Sequence, residues 1–359
     1  MKDISNVNLF MQLIRDPERK SLFTIFLECI YLLVIYREMP VHYFSRFLFK
    51  KNMTDIKNYL PNKFLGEKIS VHLNDQVEKE VLDNKLYFDF YYKQFNISIP
   101  KTIMYNFKNM FVYGGKNIVV KNSDEFTKLL KLIFTENPGY DSIFIKKTNS
   151  GSGGFDTYKL FRYETETNPL LIDEIYRKVT GSGFLFQEVV AQREELSNLN
   201  PSCLNTIRID TYRYNGSIEV ISAYIRMSVT NMYIDNISSG GCQVGIDLKS
   251  GRLKKFGYAP IKTNGVKVFT EHPVTGIVFE NYTIPGFEEV VKTAVTSATY
   301  SPGLRIVGWD IAIGPSGPVL IEGNSDYDIT GNDLVDGGYL ANPVFRKVLR
   351  EVKHLKTDD

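Results

Sequence analysis

The most apolar early stretch of the chain is LFTIFLECIYLLVIY at residues 22–36, which one charged residue, Glu28, interrupts. It is shorter than the ~20 residues that a membrane-spanning helix needs, and charged residues flank it. The pattern therefore predicts a packed helix, with membrane association as the less favoured alternative. Apolar segments broken by Pro40 and Pro61, among them residues 41–60, extend to about residue 75 and predict two or three packed helices.

Beyond residue 75, helical and extended patterns are mixed. Residues 75–96 and 123–134 predict helices, the second with a Ser/Asp cap, and residues 97–105 predict a short strand. Short β-branched or aromatic runs predict strands at 141–147, 183–190, 205–214, 218–229, 307–313 and 317–324. Further helices are predicted at 168–180, 286–300 and 342–354. The predicted fold class is α+β, with mainly antiparallel sheets behind a helical N-terminal region.

Composition narrows the class of protein. With 359 residues, 43% of them hydrophobic, the chain can bury a large core, in two or three domains or one elaborated domain. A net charge of +2 with acids and bases mixed argues against a nucleic-acid binder. Three isolated cysteines suit a reducing compartment, and the opening residues MKDISNVNLF lack a signal-peptide pattern, so we expect a cytoplasmic protein.

The first chemistry-bearing stretch is FIKKTNSGSGGFDTY, residues 144–158. Lys146 and Lys147 end a predicted strand, whose alternation points one lysine to each side. The glycines that follow can expose backbone N–H groups to an anion. The pattern is neither a Walker loop nor a dinucleotide fingerprint. Taken alone, it fits a mobile hairpin and a phosphate-covering loop equally well.

The second stretch, residues 303–328, contains two apolar strands around GPSG, which predicts a hairpin. Glu322 and Asn324 are two residues apart and so point to the same face, and Asp310 lies on the partner strand. Carboxylates in an apolar hairpin are costly to bury unless a cation compensates them. Oxygen ligands of this kind suit Mg²⁺, so we favour a magnesium site over an exposed polar face.

The third stretch carries Arg208 and Arg226 on two strands that are predicted to turn at Asn215–Gly216. Each arginine stands among apolar residues and therefore faces either a cleft or a buried carboxylate. If a nucleotide binds nearby, a guanidinium aimed at its γ-phosphate or at an acyl phosphate fits better.

Together and in this order, these stretches resemble the ATP-grasp superfamily over roughly residues 76–345. LNTIRIDT, GGCQVGIDLKSGRL and VGWDIAIGPSGPVLIEGNS look closer still to its sugar-transfer-associated group. The resemblance implies an ATP-grasp fold, in which two α+β subdomains grip ATP. It divides the chain into a helical N-terminal region (1–75), a pre-grasp and first nucleotide-contacting segment (76–140), a glycine-lid subdomain (141–190) and a C-terminal subdomain with the metal site (191–359).

The resemblance also assigns roles residue by residue. The expected ATP contacts are Lys85, Lys146, the lid residues Ser150, Gly151, Ser152, Gly153 and Gly154, and Gln187, Glu188 and Val190 around the adenine and ribose. The expected Mg²⁺ ligands are Asp310, Glu322 and Asn324, and Arg208 and Arg226 are the expected catalytic groups. The expected substrate contacts are Asn205, Asn236, Gly240, Gly241 and Asp326. Two residues depart from the pattern: Lys147 stands where proline or alanine is frequent, and Asp326 where several relatives have arginine.

The implied activity is an ATP- and Mg²⁺-dependent carboxylate–amine ligase that forms an amide through an acyl phosphate. The resemblance suggests small-molecule or glycan-linked substrates in cell-surface polysaccharide biosynthesis. Two alternatives stay open: a kinase for a sugar or lipid-linked hydroxyl, and a non-catalytic nucleotide-binding scaffold for glycan assembly. No nucleic-acid partner and no transmembrane segment are expected, while peripheral membrane association and a homodimer both remain open.

Overall fold

A computed structural model describes residues 16–149, 156–229, 241–261 and 265–355, with the backbone alone at 260–261 and 265–267. The helices are α1 Leu22–Tyr36, α2 Val41–Ser45, α3 Val71–Leu73, α4 Glu80–Asp83, α5 Lys85–Tyr92, α6 Ser123–Glu136, α7 Glu164–Thr167, α8 Pro169–Thr180, α9 Glu194–Leu199, α10 Phe287–Thr299, α11 Thr330–Asp336 and α12 Pro343–Leu355. The strands are β1 Thr102–Phe107, β2 Met110–Tyr113, β3 Lys116–Val119, β4 Ser142–Lys147, β5 Thr157–Phe161, β6 Gly183–Glu188, β7 Thr206–Tyr214, β8 Ser217–Ser228, β9 Gly241–Ile246, β10 Leu253–Ile261, β11 Gly265–Phe269, β12 Ile306–Gly314 and β13 Gly317–Asn324.

The chain forms two compact units that are discontinuous in sequence. The smaller consists of Lys79–Ala191 and Val319–Gly323, and the larger consists of the chain up to Glu78, Gln192–Pro318 and the chain from Asn324 onward. The smaller unit therefore contains α4 to α8, β1 to β6 and five residues of β13. The division of the sequence into four segments stays a prediction.

The smaller unit contains a six-stranded antiparallel sheet of order β3-β2-β1-β6-β4-β5. Its core is built where the apolar stripes of α6 and α8 meet the sheet, with Phe126 and Ile175 among the fully buried side chains. The alternation of β4 places Ile143 and Ile145 in this core. The same alternation turns Phe144 and Lys146 to the other face.

The second sheet has seven strands in the order β11-β10-β9-β8-β7-β12-β13, and its neighbours from β11 to β12, which belong to the larger unit, are antiparallel. Residues 60–73 share a core with the C-terminal helices, through side chains such as Leu60, Ile69 and Phe345. Trp309 is fully buried, and its indole N–H donates to Thr211 Oγ1 at 2.8 Å. The N-terminal region is therefore part of this unit.

The first helix packs along one side only. Ser21 caps α1 by accepting from the Thr24 N–H, and Arg37 ends it in the left-handed conformation. Ile25 and Leu32 are buried in a cluster with Tyr43, whereas most of the remaining large apolar side chains of α1 are exposed. Within the described part of the chain, no helix is long and apolar enough to cross a membrane.

Many of the elements predicted from the sequence are confirmed. The six strands predicted after residue 140 form β4, β6, β7, β8, β12 and β13, and the three helices predicted there form α8, α10 and α12. Asn215 and Gly216 join β7 to β8 with φ of 48° and 79°, the conformation that a two-residue hairpin requires. Pro315 and Ser316 connect β12 to β13, as the GPSG pattern indicates. The α+β class is therefore correct.

Three helical predictions need correction. Residues 75–96 do not form one helix, because Asn84 leaves the helical conformation (φ −103°, ψ 112°) and separates α4 from α5. The cap of α6 is Asn122, which accepts from the Glu125 N–H, and not Ser123 or Asp124. Of residues 41–60, α2 keeps only Val41–Ser45 in an α-helix, because the chain then passes through a positive φ at Phe47.

Candidate functional site

A cavity with an empty volume of about 260 Å³ lies within the smaller unit. Four polar residues line it: Lys85 and Asp89 on α5, Lys146 on β4 and Gln187 on β6. Apolar side chains, including Phe88 and Leu185, complete the wall. Apolar walls with a few convergent polar groups are typical of small-molecule sites.

Lys85 owes its position to the break between α4 and α5. The Asn84 side chain accepts from the N–H groups of Leu86 and Tyr87, so Lys85 becomes the first residue of the new helix. Its own N–H donates to the Thr148 carbonyl at 2.8 Å. The Lys85 ammonium lies 3.5 Å from Glu322 Oε2, and about a quarter of each side chain is exposed. This ion pair therefore remains accessible to a ligand.

The pleat of β4 separates the two lysines that the sequence placed together. Lys146 lines the cavity, with its Nζ 5.2 Å from the centroid of the Phe144 ring. Lys147 forms an ion pair with Asp156 at 3.5 Å instead. Only one of the two lysines therefore belongs to the cavity.

The predicted adenine and ribose contacts lie at the end of β6. Gln187 is buried, and its amide nitrogen lies 3.4 Å from both the Pro100 carbonyl and Thr102 Oγ1. Glu188 Oε1 accepts from the Lys101 N–H at 3.0 Å. Val190 is half-buried and follows the strand by two residues. Of these three residues, Gln187 lines the cavity.

Asp89 is a cavity residue that sequence reasoning missed. It lies one helical turn beyond Lys85, so both side chains share a face of α5. It is 2% exposed, and Oδ1 accepts from the Thr102 hydroxyl, while Oδ2 has no hydrogen-bond partner among the described residues. Burial raises the pKa of this carboxyl, and the Thr102 hydrogen bond opposes that shift. The available signal was an acid four residues after the candidate lysine, in an otherwise aromatic helix.

The larger unit holds a buried cluster of Arg208, Arg226 and Asp310. Asp310 on β12 lies directly opposite Arg208 on β7, which grips both of its carboxylate oxygens at 2.6 and 2.9 Å. The Arg226 guanidinium approaches Asp310 Oδ2 at 2.8 Å and also donates to Thr206 Oγ1. Asp310 is fully buried, whereas the Arg226 side chain is 12% exposed. The buried arginine–carboxylate pairing that the sequence left open is therefore present.

The predicted magnesium ligands offer chemically suitable donors. Asn324 donates to Asp310 Oδ2 at 3.3 Å within the larger unit, and Glu322 shares its face of β13 because the two residues are two positions apart. Two carboxylates and an amide oxygen are donors that Mg²⁺ accepts. In the described parts of the chain, no group of three or more His, Cys, Asp or Glu side chains could hold a metal. At Asp310 and Glu322, the compensating cations are Arg208, Arg226 and Lys85.

A second buried carboxylate, Asp210, lies two residues from Arg208 on β7. Its Oδ2 accepts from Ser222, Asn332 and Tyr339, while Oδ1 has no hydrogen-bond partner in the described residues. Burial raises the pKa of Asp210 to about 6, although the nearby Arg208 guanidinium opposes the shift. Sequence reasoning did not single out this residue.

The predicted substrate contacts are dispersed. Asn205 is fully buried, and its side chain bonds to the Leu196 and Asn200 carbonyls and to the Asn200 amide. Gly241 begins β9 opposite Ser228. The Asp326 carboxylate lies against Gly66, where an added Cβ would collide with it. Seven other predicted site residues lie outside the described part of the chain: Ser150, Gly151, Ser152, Gly153, Gly154, Asn236 and Gly240.

The family to which the chain belongs is identified by comparison with protein-family models. The family model described as sugar-transfer associated ATP-grasp matches residues 67–348. This chain belongs to that family. The match covers most of both units and begins after α1 and α2. The resemblance inferred from the sequence is thereby confirmed, and with it the ATP-grasp fold. No curated protein matches the chain.

Solved structures resemble this ATP-grasp protein distantly. D-alanyl-alanine synthetase A from Vibrio cholerae O1 biovar eltor is 14% identical, with a TM-score of 0.44, over 76% of this chain and 65% of that one. D-alanine–D-alanine ligase from Bacillus anthracis is 12% identical, with a TM-score of 0.42, over 78% and 72%. N5-carboxyaminoimidazole synthase from Aspergillus clavatus, in complex with ADP and 5-aminoimidazole ribonucleotide, is 9% identical, with a TM-score of 0.39, over 72% and 48%. The chain thus spans less than two thirds of the length of the Vibrio cholerae and Aspergillus clavatus proteins. Similarity at this level does not show that the chain shares their activities.

Proposed function

We propose that this protein is an ATP-dependent ligase that joins a carboxylate to an amine, acting on sugar or amino-acid substrates in cell-surface polysaccharide assembly. The observation that carries the proposal is the cavity of the smaller unit, whose wall contains both lysines expected to bind the nucleotide. The family description, with its reference to sugar transfer, supports the choice of substrate class. Because the reaction consumes ATP, we place it in the cytoplasm.

In this proposal the cavity holds the base and the phosphates follow the lysines. Lys146 and Lys85 neutralise phosphate oxygens, and the N–H groups of residues 150–154 cover the triphosphate as a lid. Lys85 already contacts an anion, Glu322, in an accessible pair, so it can turn to a phosphate without being drawn from a buried position. Oδ2 of Asp89, which has no hydrogen-bond partner among the described residues, accepts a hydrogen bond from the exocyclic amine of adenine, and this satisfies a buried acceptor.

The residues that would hold Mg²⁺ are Asp310, Glu322 and Asn324, and the ion would neutralise charge on the β- and γ-phosphates. Asp310 is fully engaged by two guanidinium groups, so ligation would require it to release part of that contact. Arg226 is the better candidate for a substrate contact, because its side chain is more exposed than that of Arg208. Arg208, which grips both oxygens of Asp310, would mainly hold that carboxylate in place.

The reaction has two steps. A substrate carboxylate oxygen attacks the γ-phosphorus, the bond to the β-bridging oxygen breaks, and ADP leaves with the electron pair. The amine then attacks the acyl carbon, phosphate departs, and the amine loses a proton as the amide forms. Arg226 would stabilise the oxyanion of the second step, and closure of the lid would exclude water from the acyl phosphate.

The deciding experiment supplies ATP, Mg²⁺ and pooled amino acids, uronic acids and amino sugars, and measures phosphate release followed by mass spectrometry of the products. We expect free phosphate and a condensation product, both lost in Glu322→Gln. A phosphorylated product without free phosphate would replace the ligase with a kinase. ATP binding without turnover on any substrate would favour the nucleotide-binding scaffold.

A further inference from the structure

The outer face of α1 is a broad apolar surface that the proposed activity does not use. Glu28 is the single charged residue of the helix, and it points inward, where it pairs with Lys20 at 2.9 Å and accepts from the Tyr43 hydroxyl. We call the six exposed residues of the opposite side the α1 face. Their exposed fractions are Phe23 71%, Phe26 60%, Leu27 49%, Ile30 41%, Tyr31 46% and Val34 70%. No charge interrupts this face.

The size of the surface suits a protein interface. Leu22, Leu33 and Ile35 flank the α1 face and are between 40% and 52% exposed. If a fully exposed large side chain presents ~150–200 Å², these nine residues offer about 800 Å² of apolar surface per chain. Soluble monomers rarely expose contiguous patches above ~300–600 Å², whereas a stable dimer buries about 800 Å² on each partner. The apolar surface of α1 therefore exceeds what soluble monomers usually leave uncovered, and a second helix would bury part of it.

The spacing of the exposed residues specifies what fits. Phe23, Leu27, Ile30 and Val34 follow one another at intervals of four, three and four, the spacing of a helix–helix seam. When two copies of this helix are placed antiparallel about a two-fold axis, Phe23 lies opposite Val34 of the second copy, and Leu27 lies opposite Ile30. The flanking Phe26 and Tyr31 lie on opposite sides of this seam, and each faces the same side of the second copy. The four seam residues thus meet apolar partners, and the seam is self-complementary, as a two-fold interface requires.

We propose that the α1 face is a homodimer interface in which α1 packs antiparallel against α1 of a second copy. This inference is independent of the catalytic proposal, because α1 lies outside the residues that the family model matches. A second copy is favoured over a lipid surface because helices that lie on membranes are rich in Lys and Arg on their polar face, whereas the one charged residue of α1 is Glu28.

The antiparallel register predicts a specific rescue. Leu27→Lys places an unpaired charge opposite Ile30, and Ile30→Glu places one opposite Leu27, so each variant alone should weaken dimerisation at least about thirtyfold. When the two proteins are mixed, the introduced lysine of one copy faces the introduced glutamate of the other, and the heterodimer should form. Sedimentation or light scattering of the full chain at micromolar concentration gives the mass. Circular dichroism controls for folding, which should persist because both positions are solvent-exposed in the single chain.

Leu170→Glu is the matched control, since Leu170 on α8 of the smaller unit is 79% exposed and should leave the dimer unchanged. A monomeric wild-type protein would overturn the proposal, as would an Ile30→Glu variant that stays dimeric. Binding of monomeric wild-type protein to phosphatidylcholine vesicles, lost in Ile30→Glu, would replace the second copy with a membrane surface. Failure of the mixed variants to associate, with each alone monomeric, would exclude the antiparallel register.

Discussion

The two units concentrate charge in opposite ways. In the smaller unit, the cavity residue Lys85 lies 3.5 Å from Glu322 and both are partly exposed, and the buried cavity residue Asp89 keeps one oxygen without a hydrogen-bond partner among the described residues. In the larger unit, Asp310 is fully buried and bound by Arg208 and Arg226 at 2.6–2.9 Å. The cavity charges can form additional interactions when a ligand binds, whereas Asp310 would have to lose contacts with its arginines before it could bind a ligand.

Because of this difference, the two groups of charges should affect different properties of the protein: ligand affinity in the smaller unit and the free energy of unfolding in the larger unit. A loosely held ion pair contributes little to folding, because solvent screens it and the side chains lose entropy when they are fixed. A buried ion cluster contributes little in net terms, yet breaking it is costly, because the remaining charge is left without compensation. Changes in the cavity should therefore alter ligand affinity, and changes in the cluster should alter the free energy of unfolding.

The largest expected effect is on stability, from Asp310→Asn. The change leaves the buried Arg208 and the partly exposed Arg226 without their carboxylate, so the free energy of unfolding should fall by about 3–5 kcal/mol in magnesium-free buffer. Urea unfolding followed by circular dichroism measures it. The double variant Asp310→Asn/Arg208→Met removes one of the stranded charges and should recover part of the loss. A loss below about 1 kcal/mol for the single variant would mean that the cluster is already hydrated.

A smaller effect on stability should appear in the pH dependence of Asp210→Asn. The pKa of Asp210 is raised from 3.8 to about 6, so the folded state binds the proton more tightly and wild-type stability falls as pH rises from about 4 to 6. The charged groups and tyrosines that act on this carboxyl are Arg208, Tyr224, Tyr327 and Tyr339. Because the asparagine of the variant does not titrate, the stability of the variant relative to wild type should rise by up to about 3 kcal/mol across that range.

Urea unfolding of wild type and variant at about pH 4.5, inside the predicted transition, and at about pH 7.5, above it, should detect about 2 kcal/mol of this change. A difference that does not change with pH would show that Asp210 ionises near its ordinary pKa in the folded protein.

Binding should respond next, through Lys85→Met. Loss of a charge-assisted contact to phosphate removes about 1.5–3 kcal/mol, so the dissociation constant for ATP should rise by about one to two orders of magnitude, with stability nearly unchanged. Lys147→Met is the matched control, since Lys147 ends the same region of β4 but pairs with Asp156 and does not line the cavity. Isothermal titration with ATP measures both variants. Equal weakening by the two substitutions would show that ATP responds to overall charge and not to the cavity.

The sequence predicted the elements whose signals are local. The strands from β4 onward, the Asn215–Gly216 turn and the one-lysine-per-side alternation of β4 each depend on a few consecutive residues. The single helix predicted at residues 75–96 was wrong, because helix is found only at Glu80–Asp83 and Lys85–Tyr92. Asn84 caps the second of these helices, and a cap and a helix interior cannot be told apart without knowing where the chain must turn.

What the sequence could not predict depends on distant partners. Asp310 meets Arg208 because β12 pairs with β7 in one register, between residues about a hundred positions apart. The burial of Asp89 depends on Thr102 and on the apolar wall of the cavity. Charge patterns indicated that compensating cations were needed near the carboxylates. Only the fold shows that arginines and a lysine of the chain already meet that need.

The smallest expected effect tests base recognition through Asp89→Asn. If Oδ2 accepts from the exocyclic amine of adenine, the wild type should prefer ATP over ITP, whose base presents a carbonyl oxygen at that position. Asparagine can donate to that oxygen as well as accept, so the variant should reduce the preference for ATP by about tenfold, close to the value of one hydrogen bond to a charged group. Competition binding of ATP and ITP to both proteins measures the ratio.

Gln187→Glu provides the complementary control, because it adds an acceptor to the same cavity and should keep inosine excluded. An unchanged ATP-to-ITP ratio in Asp89→Asn would mean that the buried carboxylate serves α5 and Thr102 rather than the ligand. In that case Asp89 Oδ2, which has no hydrogen-bond partner among the described residues, destabilises the fold without serving the ligand. Lys85 and Lys146 would then be the cavity residues that distinguish the smaller unit from the buried ion cluster of the larger unit.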